Sequence, residues 1–489
     1  VTTQHRHPPG DRITAALAAN RLGVPAVAFF VLSAAGPLSV IAGVVTTGYA
    51  VTGITGLPIA FLVVGAVLAL FAVGYVAMAR YMANAGAFYT YVTHGLGRPA
   101  GVAAAWGALL AYNSIQVALY GVFGAASVPL LAAWLGITLP WWVIALVAWA
   151  LVLVLGLSRV DLNGRVLAVL LTAEIAIILL FDLADLFNPA GASLAWEALS
   201  PAALFSPGIG ALLVIAILGF VGFEAAVVFS EESRDPRRTI PAATYLSVAV
   251  IAGVYALSSW VMQVAIGPAN IAAVARRDSA ETIFILAADH MGDVIATIGR
   301  VLFITSTFAA MLSFHNTSAR YLFALGRERV LPEVFGRTTA RTGAPKTGSI
   351  AQSCLGLLVI VVYAILGLDP MVQLFYFGGT LGGFGILVLL TVTAISVPIY
   401  FARNPHTEPR THALIAPVAA AIILVVMLGL AVTNFATLLG VPEGEPLAVI
   451  LPSLYGIAAV LGLIWAFVLQ RHRPGIYHQI GQGAKAVAS

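Results

Sequence analysis

VAFFVLSAAGPLSVIAGVVTTGY (Val27–Tyr49) and LLVIAILGFVGFEAAVVFS (Leu212–Ser230) decide how this chain is read. Each is apolar over about 20 residues, enough to cross a bilayer, and each carries helix-breaking residues in mid-span. Pro37 lacks an amide hydrogen and pushes Gly36 out of the helical region, while Gly36 adds backbone freedom. The helix is expected to open around Ala35–Leu38, within SAAGPLS (Ser33–Ser39). In GFVGFE (Gly219–Glu224), Gly219 and Gly222 stand three apart beside Phe220 and Phe223, so a locally unwound span flanked by bulky rings is expected. Lipid cannot satisfy backbone groups freed at that depth. They are tolerated where they are buried in protein or line a cavity, and two such breaks in corresponding places point to a binding site. The bland reading of the first break is a proline kink whose freed groups meet a neighbouring hydroxyl.

Outward from these stretches the same composition continues. Of 489 residues, 61% are hydrophobic and 9% charged, which excludes a soluble globular fold. Hydropathy gives twelve spans, centred near Val31, Ala69, Ala118, Ala148, Ala176, Leu218, Ala252, Ala310, Leu358, Ile386, Val425 and Ala459. The fold class is therefore an all-α integral membrane protein, with no loop long enough for a separate soluble domain. The N-terminal residues hold no short apolar core ending in a small-residue cleavage site, so no removable signal is expected and the first span should stay. Cys354 is the only cysteine, which excludes an internal disulfide or a cysteine cluster for metal; its apolar setting reads as a small packing residue. The net charge of +4 comes without a basic stripe interleaved with aromatics, so no nucleic-acid partner is expected.

Charge gives the orientation. With the N-terminus cytoplasmic, all of the 24 Lys and Arg except Arg276, Arg277 and Arg300 fall on inner segments, including Arg6, Arg12, Arg341 and Lys485. Asp185, Glu197, Asp278, Glu281, Asp289, Asp293, Asp369, Glu443 and Glu445 fall in the outer loops. Both termini are expected inside, in a plasma (cell inner) membrane. The stretch after span 2 (Ala83–Gly97) reads as an aromatic helix lying at the inner face. The longest inner loop, after span 8, suggests a short surface helix and a turn, and the outer loop Gly267–Asp293 reads as a solvated connection rather than a cover.

Polar residues inside the spans are the candidates for chemistry. Glu224 costs about 2.5–3.5 kcal/mol on insertion scales if ionised at mid-membrane, so it needs a partner and either braces the broken backbone or meets a ligand. Span 3 holds Tyr112, and Asn113, Gln116 and Tyr120 at helical spacing form a polar stripe that faces either a cavity or a neighbouring helix. Glu174 in span 5 can take up a proton, ligate a cation or pair silently. Thr305, Ser306, Thr307, His315 and Asn316 lie in span 8; His315 is a proton relay or a structural donor.

GFVGFEAAVVFSEESRDPRRTIPAA (Gly219–Ala243), SARYLFALGRERVLPEVFGRTTARTGAPKTGS (Ser318–Ser349) and ARYMANAGAFYTYVTHGLGRPAG (Ala79–Gly101) resemble signatures of the amino acid-polyamine-organocation superfamily of permeases. The resemblance runs from Val24 to Phe401. It implies a five-plus-five inverted repeat with discontinuous helices 1 and 6, alternating access, and recognition of the substrate's amino and carboxyl groups by main chain at the two breaks. The first break departs from the family's two glycines around a small residue, and Glu174 stands where several proton-coupled members place a lysine. By the same resemblance Ser306 and Thr307 face a cation site in sodium-coupled relatives, and Asn113 matches a substrate-side residue.

The expected protein is a secondary active permease for amino acids, importing with protons. Residues 1–21 form a cytoplasmic segment, 22–401 the repeat core, 402–470 helices 11 and 12, and 471–489 a cytoplasmic tail. Substrate contacts are expected from Ala35, Gly36, Pro37, Leu38, Ser39, Asn113, Gln116, Gly219, Phe220, Val221, Gly222, Phe223 and Glu224, and coupling from Glu174, Ser306, Thr307 and His315. The partners expected are a small amino acid or amine, a proton or sodium ion, and the lipid bilayer; no cofactor, resident metal or catalytic residue is expected. No phosphate-cradling motif supports ATP-driven transport. Polyamine transport and amino acid exchange are the alternatives within the fold, and a membrane-embedded enzyme using His315 and Asn316 is the alternative outside it.

Overall fold

Apolar runs with internal helix formers fold as packed helices, and the computed structural model of this chain is helical. It describes residues 17, 19–82, 84–191, 194, 196–206, 208–339 and 342–483. The expected contributions of Arg6, Arg12, Arg341 and Lys485, and most of the segment 1–21, lie outside the described residues. Among those described there is no β-strand; Leu22 and Ser233 form an isolated bridge.

The first unit comprises α1 (Val24–Ala35), α2 (Pro37–Ser39), a π-helical stretch Val40–Val45, α3 (Thr46–Thr52), α4 (Leu57–Ala79) and α5 (Ala87–Leu96). It continues through α6 (Arg98–Leu135), α7 (Trp141–Gly156) and α8 (Val160–Phe187). Then come α9 (Ile209–Leu218), a 3₁₀ helix Phe223–Glu232, α10 (Pro236–Ile266), α11 (Ile271–Asp278), α12 (Thr282–Met291) and α13 (Asp293–Arg327). The last are α14 (Lys346–Leu366), a π-helical stretch Pro370–Tyr376, α15 (Phe377–Arg403), α16 (Ala416–Thr433), α17 (Phe435–Leu439), α18 (Leu447–His472) and α19 (Pro474–Gln479). Helix α1, buried over most of its length, packs against α8, α10 and α13.

Eleven helical stretches among the described residues are long and apolar enough to cross a membrane, so the chain is a multi-pass membrane protein. The span expected near Ala148 is α7, which has 16 residues. At 1.5 Å per residue it covers about 24 Å, less than a hydrocarbon core of about 30 Å. Pro140 before it and the turn after Gly156 bound it on both sides.

Several connections differ from expectation. The α5 helix is packed deeper than a surface helix: Phe88, Tyr89, Tyr91 and Val92 are fully buried, and only its last turn, with His94 and Leu96, is exposed. The loop Gly267–Asp293 is not a solvated connection but two packed helices, with Ile271 and Phe284 buried and the Arg276 guanidinium donating to the Ala50 carbonyl at 2.7 Å. Asp185 is not in a loop; it lies buried within α8. Cys354 is exposed on α14 rather than packed. The loop after α13 does contain a short 3₁₀ helix, Glu333–Gly336.

Candidate functional site

In the first of the two stretches the local geometry is set by Gly36 and Pro37. Helix α1 stops at Gly36, which adopts φ +56°, and Pro37 opens the next helical segment at a position that needs no amide hydrogen. The Leu38 amide, exposed by this break, donates to Glu174 Oε1 at 2.6 Å. Ser306 Oγ donates to the same oxygen at 2.7 Å. Ser39 Oγ lies 3.3 Å from Ser306 Oγ and 3.3 Å from Thr307 Oγ1, and the Tyr255 hydroxyl donates to the Ala35 carbonyl at 3.3 Å. A carboxyl from α8 and hydroxyls from α13 are thus gathered on the start of the second half-helix, where partial positive charge favours an anion. Glu174 Oε2 is buried with no hydrogen-bond partner.

In the second stretch α9 ends at Leu218, and Gly222 adopts φ +113° before the 3₁₀ helix begins. Glu224 closes this break on itself: its Oε2 accepts from the Gly222 amide at 2.9 Å and its Oε1 from the Tyr112 hydroxyl at 3.0 Å. The Tyr75 hydroxyl donates to the Glu224 carbonyl at 2.9 Å. The two breaks touch. A Cβ on Gly222 would stand 2.8 Å from Ala34 Cβ and 3.0 Å from the Ala35 nitrogen.

Beside this junction lies a cavity of about 170 Å³. Ala35, Gly36, Ser39 and Val221 of the expected substrate residues line it, together with Ile115, Leu119, Phe314, Tyr376 and Gly383. Pro37, Leu38, Gly219, Gly222 and Glu224 shape the breaks without lining the cavity. Phe220 and Phe223 are turned into aromatic packing, against Phe61 and Tyr255 and against Phe71. Asn113 and Gln116 do not face the cavity. Asn113 Nδ2 donates to the Leu109 carbonyl of its own helix, and Gln116 joins Tyr120 to Gln352 of α14, so of the polar stripe it is Gln116 that ties α6 to α14. His315 is also apart from Glu174, with Nε2 2.7 Å from Ser349 Oγ at the seam of α13 and α14.

Two groups escaped the sequence reading. On α8 itself, Asp182 and Asp185 are buried beyond Glu174, Asp182 accepting from Ser258 Oγ at 2.8 Å and Asp185 standing 3.0 Å from His290 Nδ1. Their spacing of eight and eleven residues from Glu174 is the signal that could have placed them near its face. Tyr376 on the far wall donates to or accepts from Thr47 Oγ1 at 2.9 Å. Thr47, Tyr376 and Leu438 are shared with a second cavity of about 340 Å³, so this hydrogen bond stands between the two.

At the arginine-rich end the helices are tied firmly. Arg320 holds Glu232 through two contacts of 2.5 and 3.0 Å, and Arg327 holds Glu231 through contacts of 2.6 and 2.7 Å. Glu328 accepts from Tyr89, Asn84 and the amides of Gly481 and Gly483, drawing residues 481–483 onto α5 and α13.

A family model described as amino acid permease matches residues 22–458. The chain is 24% identical over 367 residues to the low-affinity putrescine importer PlaP of Escherichia coli (strain K12), covering 72% of this chain and 75% of that protein. It is 24% identical over 351 residues to the branched-chain amino acid permease BcaP of Lactococcus lactis subsp. cremoris (strain MG1363), covering 68% of this chain and 73% of that one. Over 203 residues it is 26% identical to cationic amino acid transporter 4 of Homo sapiens, which covers 41% of this chain and 29% of that protein. These relatives are carriers, and a match of this extent on a bundle of membrane-length helices means that the chain belongs to the amino acid permease family, whose members are transporters and not enzymes.

Proposed function

We propose that the chain is a secondary active transporter that imports an amino acid or related amine by alternating access, coupled to protons through Glu174. The observation that carries this reading is the Glu174 carboxyl, held on the Leu38 amide by one oxygen while the other is buried without a partner. A proton can add to or leave that second oxygen while the first keeps its donors. Binding at the breaks and protonation at Glu174 then act on the same few residues, which is what coupling requires.

The substrate occupies the cavity beside Gly36 and Val221, and the spans form a five-plus-five inverted repeat within residues 22–401, with helices 11 and 12 appended. The arginine-rich end is cytoplasmic, with both termini on that side. On this reading the Arg320–Glu232 and Arg327–Glu231 pairs close the cytoplasmic end, and the Thr47–Tyr376 hydrogen bond is one of the contacts that narrow the outer end. Ser39, Ser306 and Thr307 complete the coupling site. His315 has no part in it.

The test is uptake of labelled amino acids and putrescine into proteoliposomes under an imposed pH gradient, a sodium gradient, or neither. Accumulation driven by the inward proton gradient is expected. Accumulation that follows sodium alone would assign the Glu174 site to a metal cation, and counterflow without accumulation would make the protein an exchanger.

A further inference from the structure

The cavity beside the breaks has two unlike ends. Towards the breaks it meets Gly36 and Ser39, where main-chain groups and the Glu174 cluster lie. Its other walls come from α6, α9, α13 and α15, and there Ile115, Leu119, Ile215, Leu218 and Phe314 present hydrocarbon. The polar side chains that line it are hydroxyls, those of Ser39, Thr47, Tyr376 and Thr380, and no charged side chain lines it among the described residues. Neither buried carboxyl of the breaks serves the apolar end. Both oxygens of Glu224 are engaged, by Tyr112 and by Gly222, and Glu174 sits with Leu38 and Ser306.

A cationic side chain, or the second ammonium of a diamine, would lose its water against this wall and find no carboxylate in return. Hydrocarbon, by contrast, gains with each methylene buried. The wall also has two openings. Gly43 and Gly379 both line the cavity, and a Cβ added to either would meet nothing within 4 Å. What these positions lack in side chain is room for the substrate.

We infer that the substrate is an amino acid with an uncharged, apolar side chain, and that Gly43 and Gly379 set the size of side chain admitted. This rests on the carrier reading above and narrows it.

The experiment is a paired measurement on the full-length protein, thermal stabilisation in detergent and uptake into proteoliposomes, with leucine, valine, phenylalanine and alanine against lysine and putrescine. Leucine and its apolar neighbours should stabilise the protein and accumulate, with lysine and putrescine weaker by on the order of 100-fold. Gly379→Asp should reverse the order, raising affinity for lysine roughly tenfold or more. Gly379→Val should lose phenylalanine and leucine while keeping alanine, with the melting temperature of each variant without substrate as the control for folding. Lysine or putrescine binding the unaltered protein as tightly as leucine overturns the inference and leaves the carrier reading standing. A folded Gly379→Val with unchanged preference overturns the role of the glycine. If no amino acid or diamine accumulates, the carrier reading falls and this inference with it.

Discussion

Leu38 gives its backbone N–H to Glu174 Oε1 across 2.6 Å, joining the first helix break to the middle of α8. The half-helix that starts at Pro37 therefore does not wait for a substrate carboxylate to meet its positive end; the protein supplies its own. The second break is treated alike, since Glu224 Oε2 takes the Gly222 amide. Each gap in the helices is held open by a buried carboxyl with neutral donors. Of the two, only Glu174 keeps an oxygen unpartnered.

Replacing Glu174 by Gln keeps an acceptor for Leu38 and Ser306 but removes the exchangeable proton. Accumulation driven by a proton gradient should fall by tenfold or more, roughly, while exchange of internal for external substrate falls less. Proteoliposome uptake and counterflow measured side by side decide it. Equal loss of both would take Glu174 out of coupling.

Gly222 sits at φ +113° with its missing Cβ 2.8 Å from Ala34 Cβ. Overpacking costs about 1–3 kcal/mol and a left-handed side-chain residue about 1–2 kcal/mol more. Gly222→Ala should lower the melting temperature and weaken substrate stabilisation, and Gly222→Leu should abolish binding by parting the two breaks. A folded Gly222→Leu protein with unaltered affinity would put the site elsewhere.

The Arg320 and Glu232 side chains are 2% and 1% exposed, and Arg320 also lies 4.8 Å over the Phe229 ring. Removing one partner leaves the other charge buried, a loss of about 3–5 kcal/mol. Glu232→Gln should therefore destabilise the protein far more than Glu333→Gln, whose pair with Arg329 at 3.5 Å is exposed and worth at most about 1 kcal/mol. Thermal unfolding of the two variants in one detergent makes the comparison.

Sequence carried the helical plan because length and hydropathy are local properties, and Gly36–Pro37 marked where α1 ends, since proline has no amide hydrogen to give and glycine accepts φ +56°. That Ser306 and Thr307 face an ion site was read only through resemblance, and 132 residues of sequence separate Ser306 from Glu174. The stripe through Asn113, Gln116 and Tyr120 announced a protein-facing surface but not which neighbour it meets, and the neighbour is Gln352 rather than the cavity. Asp185 read as a loop acid because its partner His290 comes from a distant helix. Nor does the aromatic run of α5 distinguish a lipid interface from a buried seat: both want the same rings.

Residues 481–483 are held on the Glu328 carboxyl by two backbone amides, beside two side-chain donors from Asn84 and Tyr89. Glu328 accepts from Gly481 at 2.6 Å, Gly483 at 2.7 Å, Asn84 at 3.1 Å and Tyr89 at 2.5 Å. Gly481 takes φ +85°, and a Cβ there would lie 2.6 Å from Thr93 Cγ2. Gly481→Val should release this segment, seen as faster trypsin cleavage after Arg471 with the helical core intact, Arg473 being shielded by Pro474. Cleavage at the unaltered rate would mean that α18 and α19 hold the tail without Glu328.

Thr47 and Tyr376 share the hydrogen bond that separates the central cavity from the second one. A neutral hydrogen bond nets about 0.5–1.5 kcal/mol, so losing it should raise the population in which the cavities communicate roughly two- to tenfold. Thr47→Val removes the hydroxyl at nearly constant shape, and Tyr376→Phe removes its partner. The reporter is Gly43→Cys in a Cys354→Ser background, because a side chain at residue 43 projects into open space in the cavity wall. A membrane-impermeant thiol reagent added outside should label that cysteine faster in either variant. The double variant should be labelled no faster than the singles, since all three lack the same bond. Labelling at the product of the single effects would mean that the hydroxyls act separately and that something else closes the cavity.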